Sequence, residues 1–181
     1  MAIGSTVHTF DIQLADVDRG VYETLALRVA RHPSETDEYL LTRVLAYCLE
    51  YTEGIAFSAG LADPGLPPLF VRDLSGTLQV WIEIGSPDAA RLHRASKAAP
   101  RVVVYTHKDP RQLARQLSGE RIHRAESLEL LAMDRELIAA LTARLDRRTA
   151  FSLSVTDRHL FIDIGGESLT GSIEPIALTA L

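Results

Sequence analysis

LFVRDLSGTLQVWIEIG, the stretch from Leu69 to Gly85, decides the fold. Leu69–Asp73 and Leu78–Ile84 are β-branched and aromatic runs, and Ser75-Gly76 between them supplies a turn. They predict two strands of a hairpin. Directly after them, Ser86-Pro87-Asp88 carries the marks of a helix start: a serine cap, a proline at the first helical position and an acid favoured by the helix dipole. A hairpin that feeds a helix, followed by the short β-branched run Arg101–Tyr105, points to a sheet that is antiparallel on one side and parallel on the other.

The flanks extend this pattern. Upstream, Phe10, Ile12 and Leu14 alternate, a polar turn follows at Asp16–Gly20, and alternation resumes at Val21, Leu25, Leu27 and Val29, which predicts a hairpin with one buried face. His32-Pro33 ends it, because the residue before proline is held extended. Ser34 is the expected cap, with Asp37 as capping-box partner, of a helix from Ser34 to Tyr51 that stops near Gly54. A proline- and glycine-rich loop is expected over Ala62–Pro68. Downstream, Asp109-Pro110 opens a helix through Leu117, Ser127–Met133 reads as a strand and Arg135–Leu145 as a helix. Two short strands follow, carried by Phe151, Leu153 and Val155 and by Leu160, Ile162 and Ile164. The fold class is mixed α/β, with a central sheet and flanking helices in one domain over residues 1–181.

With 181 residues, 46% of them hydrophobic, the chain is long enough to bury a substantial core. No apolar run approaches the ~18 residues needed to cross a bilayer, so no membrane association is expected. The start, MAIGSTVHTFDIQ, lacks the basic and apolar regions of a secretory signal. A single cysteine, Cys48, fits a reducing cytoplasm. The net charge of −5 argues against a protein that coats nucleic acid along its whole surface. Between Arg91 and Arg124, however, nine Lys and Arg residues face only Asp109 and Glu120. This run is either scattered solvated charge or a local positive face that could meet a phosphate backbone.

Three features carry possible chemistry. Glu38 stands on the stripe of the first helix that also holds Leu41 and Leu45, so it is either a rim residue favoured by the helix dipole or a functional carboxylate. Asp73 and Glu83 occur on successive strands, where a hairpin could bring them together. Two converging carboxylates need a proton or cation between them, and Mg²⁺ prefers such oxygen ligands. Glu83 is the sharper of the two because Trp81, Ile82 and Ile84 flank it; Asp73 alone would be a turn residue. Arg94 and Lys97 form a basic face on the next helix. The six histidines show no ligand spacing, and no zinc site is expected. No Walker A, GxGxxG or GxSxG pattern occurs.

The stretch Ala30-Arg31-His32-Pro33-Ser34-Glu35-Thr36, together with Trp81-Ile82-Glu83-Ile84-Gly85, Pro87-Asp88, the Arg91-Leu92 helix and the strand Val102–Thr106, resembles the YaeQ family over essentially the whole chain. That family is similar in fold to the PD-(D/E)XK nucleases, with extra β-hairpins at both ends. The resemblance implies Asp73 and Glu83 as metal ligands, Glu38 as the helix glutamate and Mg²⁺ as cofactor. One departure stands out. Gly85 occupies the position two after Glu83 where the motif has lysine, so the missing charge would have to come from Arg94 or Lys97, with Gln79 as an added ligand. Lysine and arginine are not equivalent there, because arginine stays charged and cannot act as a base.

Two expectations follow. One is a Mg²⁺-dependent phosphodiesterase acting on nucleic acid, active or degenerate. The other is a non-catalytic module on a nuclease scaffold that binds nucleic acid or a protein partner such as the transcription machinery. The first is the leading reading, resting on the Asp73/Glu83 spacing, the inward Glu38 and the basic run after residue 91; Gly85 and the acidic net charge favour the second.

Overall fold

The computed structural model describes residues 4–58 and 65–178. Among them run β1 (Thr6–Asp16), β2 (Val21–Arg31), α1 (Asp37–Leu49), β3 (Ile55–Phe57), β4 (Leu69–Arg72), β5 (Leu78–Ile84), α2 (Ala89–Ala98), β6 (Arg101–Thr106), α3 (Pro110–Leu117), a 3₁₀ turn at Ala125–Ser127, β7 (Glu129–Met133), α4 (Arg135–Thr142), β8 (Arg148–Thr156), β9 (His159–Ile164) and β10 (Glu167–Pro175). The fold is mixed α/β, as expected. The chain clusters into two compact units: the part up to Leu41 with Met133–Ile173, and Thr42–Ala132 with the part from Glu174 onward. No helix among the described residues is long and apolar enough to cross a membrane.

In the first unit β1 and β2 pair antiparallel over their full length, from Thr6 opposite Arg31 to Asp16 opposite Val21. β8 joins β1 in parallel, and β9 and β10 follow antiparallel. The period-2 pattern dictates which face is covered: Phe10, Ile12, Leu14, Leu25, Leu27, Val29, Leu153, Val155, Leu160 and Ile162 are all buried. Each such side chain contributes about 1.5–3 kcal/mol by leaving water. From α4, Leu137, Ile138 and Leu141 are buried. Gly171 in β10 permits a close approach here, since a Cβ at that position would lie 2.8 Å from Leu137 Cβ and 2.9 Å from Asp134 Cβ.

The second unit holds the hairpin that the Leu69–Gly85 stretch predicts. β3, β4 and β5 run antiparallel, and β5, β6 and β7 run parallel. On one face of these strands Trp81, Val102, Val104 and Leu130 pack with Leu92, Ala95 and Ala99 of α2 and Leu113 and Leu117 of α3. Both helices therefore cover the same side of β5, β6 and β7.

Several boundaries differ from expectation, with identifiable causes. α1 begins at Asp37 rather than Ser34. Thr36 is its cap, accepting through Oγ1 from the Tyr39 amide, while the Ser34 hydroxyl is engaged with His32 Nδ1 at 2.6 Å. The Asp88 carboxylate, not Ser86, caps α2 by accepting from the Arg91 amide at 2.7 Å. β10 was not anticipated, because Ile173 is the only buried side chain along its length. β3 is too short to show alternation. Residues 62–64 of the anticipated Ala62–Pro68 loop lie outside the described residues.

Candidate functional site

Glu83 is the most unusual carboxylate of the second unit. It lies on the same face of β5 as Trp81, two residues earlier, which places it under α2. It is only 4% exposed. Its Oε2 accepts from Trp81 Nε1 at 2.9 Å and from Arg91 Nε at 2.7 Å. The Arg91 guanidinium also lies over the Trp81 ring, 5.8 Å from the centroid, and donates through Nη2 to the Leu66 carbonyl at 2.9 Å. Burial pushes the Glu83 carboxyl above its ordinary range, and the bonds from Trp81 and Arg91 pull only part of the way back. The carboxylate is thus already matched by a cation that the chain itself supplies.

Local sequence explains how Arg91 arrives there. After Ile84, Gly85 adopts φ +88, and its amide donates to the Tyr105 carbonyl at 2.9 Å. That left-handed turn is where a side chain is strained, so the glycine at this position is a backbone requirement. The chain then enters α2 through Asp88, and Arg91, in the first turn of the helix, points back to Glu83.

Asp73 sits elsewhere. Its amide donates to the Thr77 carbonyl at the tip of the β4–β5 hairpin, whereas Leu69, at the other end of β4, pairs with Ile82. Thr77 and Glu83 are six residues apart along extended chain, or ~20 Å at ~3.3 Å per residue. The expectation that Asp73 and Glu83 share a cation is therefore corrected by the register of the hairpin. The Asp73 oxygens are also occupied: Oδ1 accepts from the Ser75 amide, the Ser75 hydroxyl and the Thr77 amide, and Oδ2 from Gln79 Nε2. The Ser75 hydroxyl, followed by the Thr77 amide, holds its carboxyl below the usual range. Gln79, proposed as an extra ligand, serves this turn instead. These donors do not fit Mg²⁺, which needs unpaired oxygens converging on one point. Among the described residues no group of three or more His, Cys, Asp or Glu could hold a metal ion.

The remaining expected residues are distributed as follows. Glu38 stands half-buried in the first turn of α1 and belongs to the first unit. Arg94 and Lys97 are exposed on the outer side of α2, with Leu92, Ala95 and Ser96 turned inward. Of the five, only Glu83 is buried, and Arg91 is its charged partner.

Two further groups escaped the sequence reading. Glu50, just past α1, is buried and accepts from Arg101 Nη1 at 2.6 Å and from the Tyr105 hydroxyl at 2.6 Å. Arg101 also bridges to Glu129, at 2.5 Å. Burial and the neighbouring Glu50 push the Tyr105 hydroxyl well up, and at Arg101 burial pulls down but the bonds to Glu50 and Glu129 outweigh it and raise the group. This chain of charges ties the end of α1 to β6 and β7. The second group is His93 with His123, whose amide donates to His93 Nδ1 at 3.0 Å. Neither was legible beforehand, since the partners are 28 to 55 residues apart in sequence.

Comparison with known proteins places this architecture. The chain is 29% identical to the uncharacterized protein YaeQ of Escherichia coli (strain K12), over 90% of each chain. It is 28% identical to the protein of the same description in Salmonella typhi, with the same coverage. It is similar to the crystal structure of the YaeQ protein from Pseudomonas syringae, with a TM-score of 0.85 at 28% identity over 96% of each chain. The YaeQ protein from Xanthomonas axonopodis pv. citri matches with a TM-score of 0.79 at 28% identity, over 94% of this chain and 97% of that one. The family model described as YaeQ protein matches residues 1–173, and the chain belongs to that family.

Proposed function

We propose that this protein is a non-catalytic module that binds nucleic acid through the outer side of α2 and α3, on a scaffold whose core resembles that of the PD-(D/E)XK nucleases. The observation that carries the reading is the charge of these two helices. They lie side by side over one sheet face, neither contains an acidic residue, and Arg94, Lys97, Arg111 and Arg115 are all exposed on them. A local cationic face of this kind attracts phosphate even when the net charge is negative. Arg91 and Glu83 support the scaffold beneath it by fixing the first turn of α2 to β5.

A Mg²⁺-dependent cleavage activity is the alternative, and a buried carboxylate with a raised pKa is the feature that favours it. Against it stand the Arg91 partner, the glycine turn at Gly85 and the distance to Asp73. Fluorescence anisotropy with short DNA and RNA oligonucleotides, at several salt concentrations, tests the binding reading. Binding should weaken steeply with salt, and Arg94→Ala with Lys97→Ala should flatten the salt dependence by about one unit per lost phosphate contact. Absence of binding at low salt would sink the proposal.

A further inference from the structure

The segment between α3 and β7 is fastened to α2 by an unusual set of bonds. Ser96 Oγ donates to the His123 carbonyl at 2.5 Å. Arg124 Nη2 donates to the carbonyls of Ser96 and Ala99 at 2.5 and 3.0 Å. The His123 amide donates to His93 Nδ1. Ile122 is buried in the α2–α3 core, so Arg121 and His123 on either side of it are turned outward and exposed. On α2, His93 and Lys97 are one turn apart and share a face. The two rings meet edge to face, with centroids 6.4 Å apart.

This arrangement fixes chemistry. Because His93 Nδ1 accepts an amide proton, the neutral ring carries its own proton on Nε2, leaving a hydrogen-bond donor on the other side. Around it stand two permanent cations, Lys97 and Arg121, and a second imidazole. Desolvation first, then Lys97, His123 and Arg121, hold His93 below its ordinary pKa. Positive groups brought together repel one another, and an anion that enters relieves the repulsion.

We propose that His93, Lys97, Arg121 and His123 form a binding site for a phosphomonoester dianion, the terminal phosphate of a nucleic-acid strand. The two fixed cations match a charge of about −2 better than the single charge of a backbone phosphodiester, and the two imidazoles supply donors. This rests on the nucleic-acid reading above and adds to it a preference for a strand end.

The test compares oligonucleotides of one sequence with a 5′-phosphate, a 3′-phosphate or neither, at matched ionic strength. Either phosphorylated strand should bind about tenfold more tightly than the unmodified one, the worth of a charge-assisted contact. Arg121→Ala should remove that preference while leaving unmodified strands within about threefold, and Lys97→Ala, whose cation also serves the nucleic-acid face, should weaken binding of every strand, and of the phosphorylated ones more. By NMR, pyrophosphate should raise the His93 titration midpoint saturably, and equal ionic strength of NaCl should not; His159, in the other unit, serves as the unmoved control. Equal binding of all strands, together with an unmoved His93, would overturn the site while leaving the nucleic-acid reading standing. No binding of any strand, with His93 still responding to pyrophosphate, would instead overturn the nucleic-acid reading and with it the assignment to a strand end.

Discussion

Arg91 Nε lies 2.7 Å from Glu83 Oε2, and the same oxygen accepts from the Trp81 indole, so one buried carboxylate oxygen joins strand β5, its own neighbour and the first turn of α2. Removing one side of a buried pair strands the other. Glu83→Ala should destabilise the protein by about 3 kcal/mol or more, because Arg91 and the Trp81 N–H both lose their acceptor. Glu83→Gln, which keeps an acceptor and removes the charge that burial disfavours, should cost less than half of that. Urea denaturation of both variants checks the ordering, and equal losses would contradict it.

Arg91→Ala should leave a pH signature. The Glu83 carboxyl is already raised by burial, and losing Arg91 removes two of the influences that lower it. With a folded pKa further above the unfolded one, the variant binds a proton more tightly when folded. Its stability relative to the parent should be best preserved below the ordinary glutamate range and be lost as pH rises through the raised folded value. Melting temperatures between pH 4 and 8 would show the gap widening upward, and a gap that widens toward acid would refute the assignment.

Placing a lysine at Gly85, as the nuclease motif would have it, should fail. At φ +88 a non-glycine residue costs roughly 1–2 kcal/mol. Gly85→Lys should therefore lower stability by about that amount and confer no cleavage. Gly85→Ala is the control, with a similar loss. A stable Gly85→Lys protein that cleaves DNA in Mg²⁺ would show that the site needed only its lysine.

Asp73→Ala should open the hairpin tip locally, with faster amide exchange at Ser75 and Thr77, whose N–H groups lose their acceptor. Because the Asp73 carboxyl is lowered in the fold, its contribution to stability is present above the unfolded aspartate pKa and is lost as pH falls through the folded value. Divalent-cation binding, measured by calorimetry, should be the same with and without it.

The sequence made the elements legible wherever pattern is local. The alternation at Phe10, Ile12 and Leu14 names the buried face of β1, and Asp109-Pro110 marks the start of α3 where it occurs. The site was less legible. Glu83 stood out because a carboxylate among Trp81, Ile82 and Ile84 must find a partner, but the pattern cannot say whether that partner is a metal or an arginine. Arg91 was visible as one member of a basic run and in the family resemblance, but not as the partner of Glu83. Its role depends on the Gly85 turn, which swings α2 back over β5. Asp73 was mispaired because sequence spacing does not reveal which end of a hairpin a residue occupies; pairing register does.

The most direct test of the central claim is incubation of the protein with labelled single- and double-stranded oligonucleotides in Mg²⁺, in Mn²⁺ and in EDTA, following binding and strand length together. Binding that is equal in all three at matched ionic strength, with the strands intact, is the result expected of a module whose buried carboxylate is matched by Arg91. Cleavage that requires the metal and disappears in Glu83→Gln would contradict it.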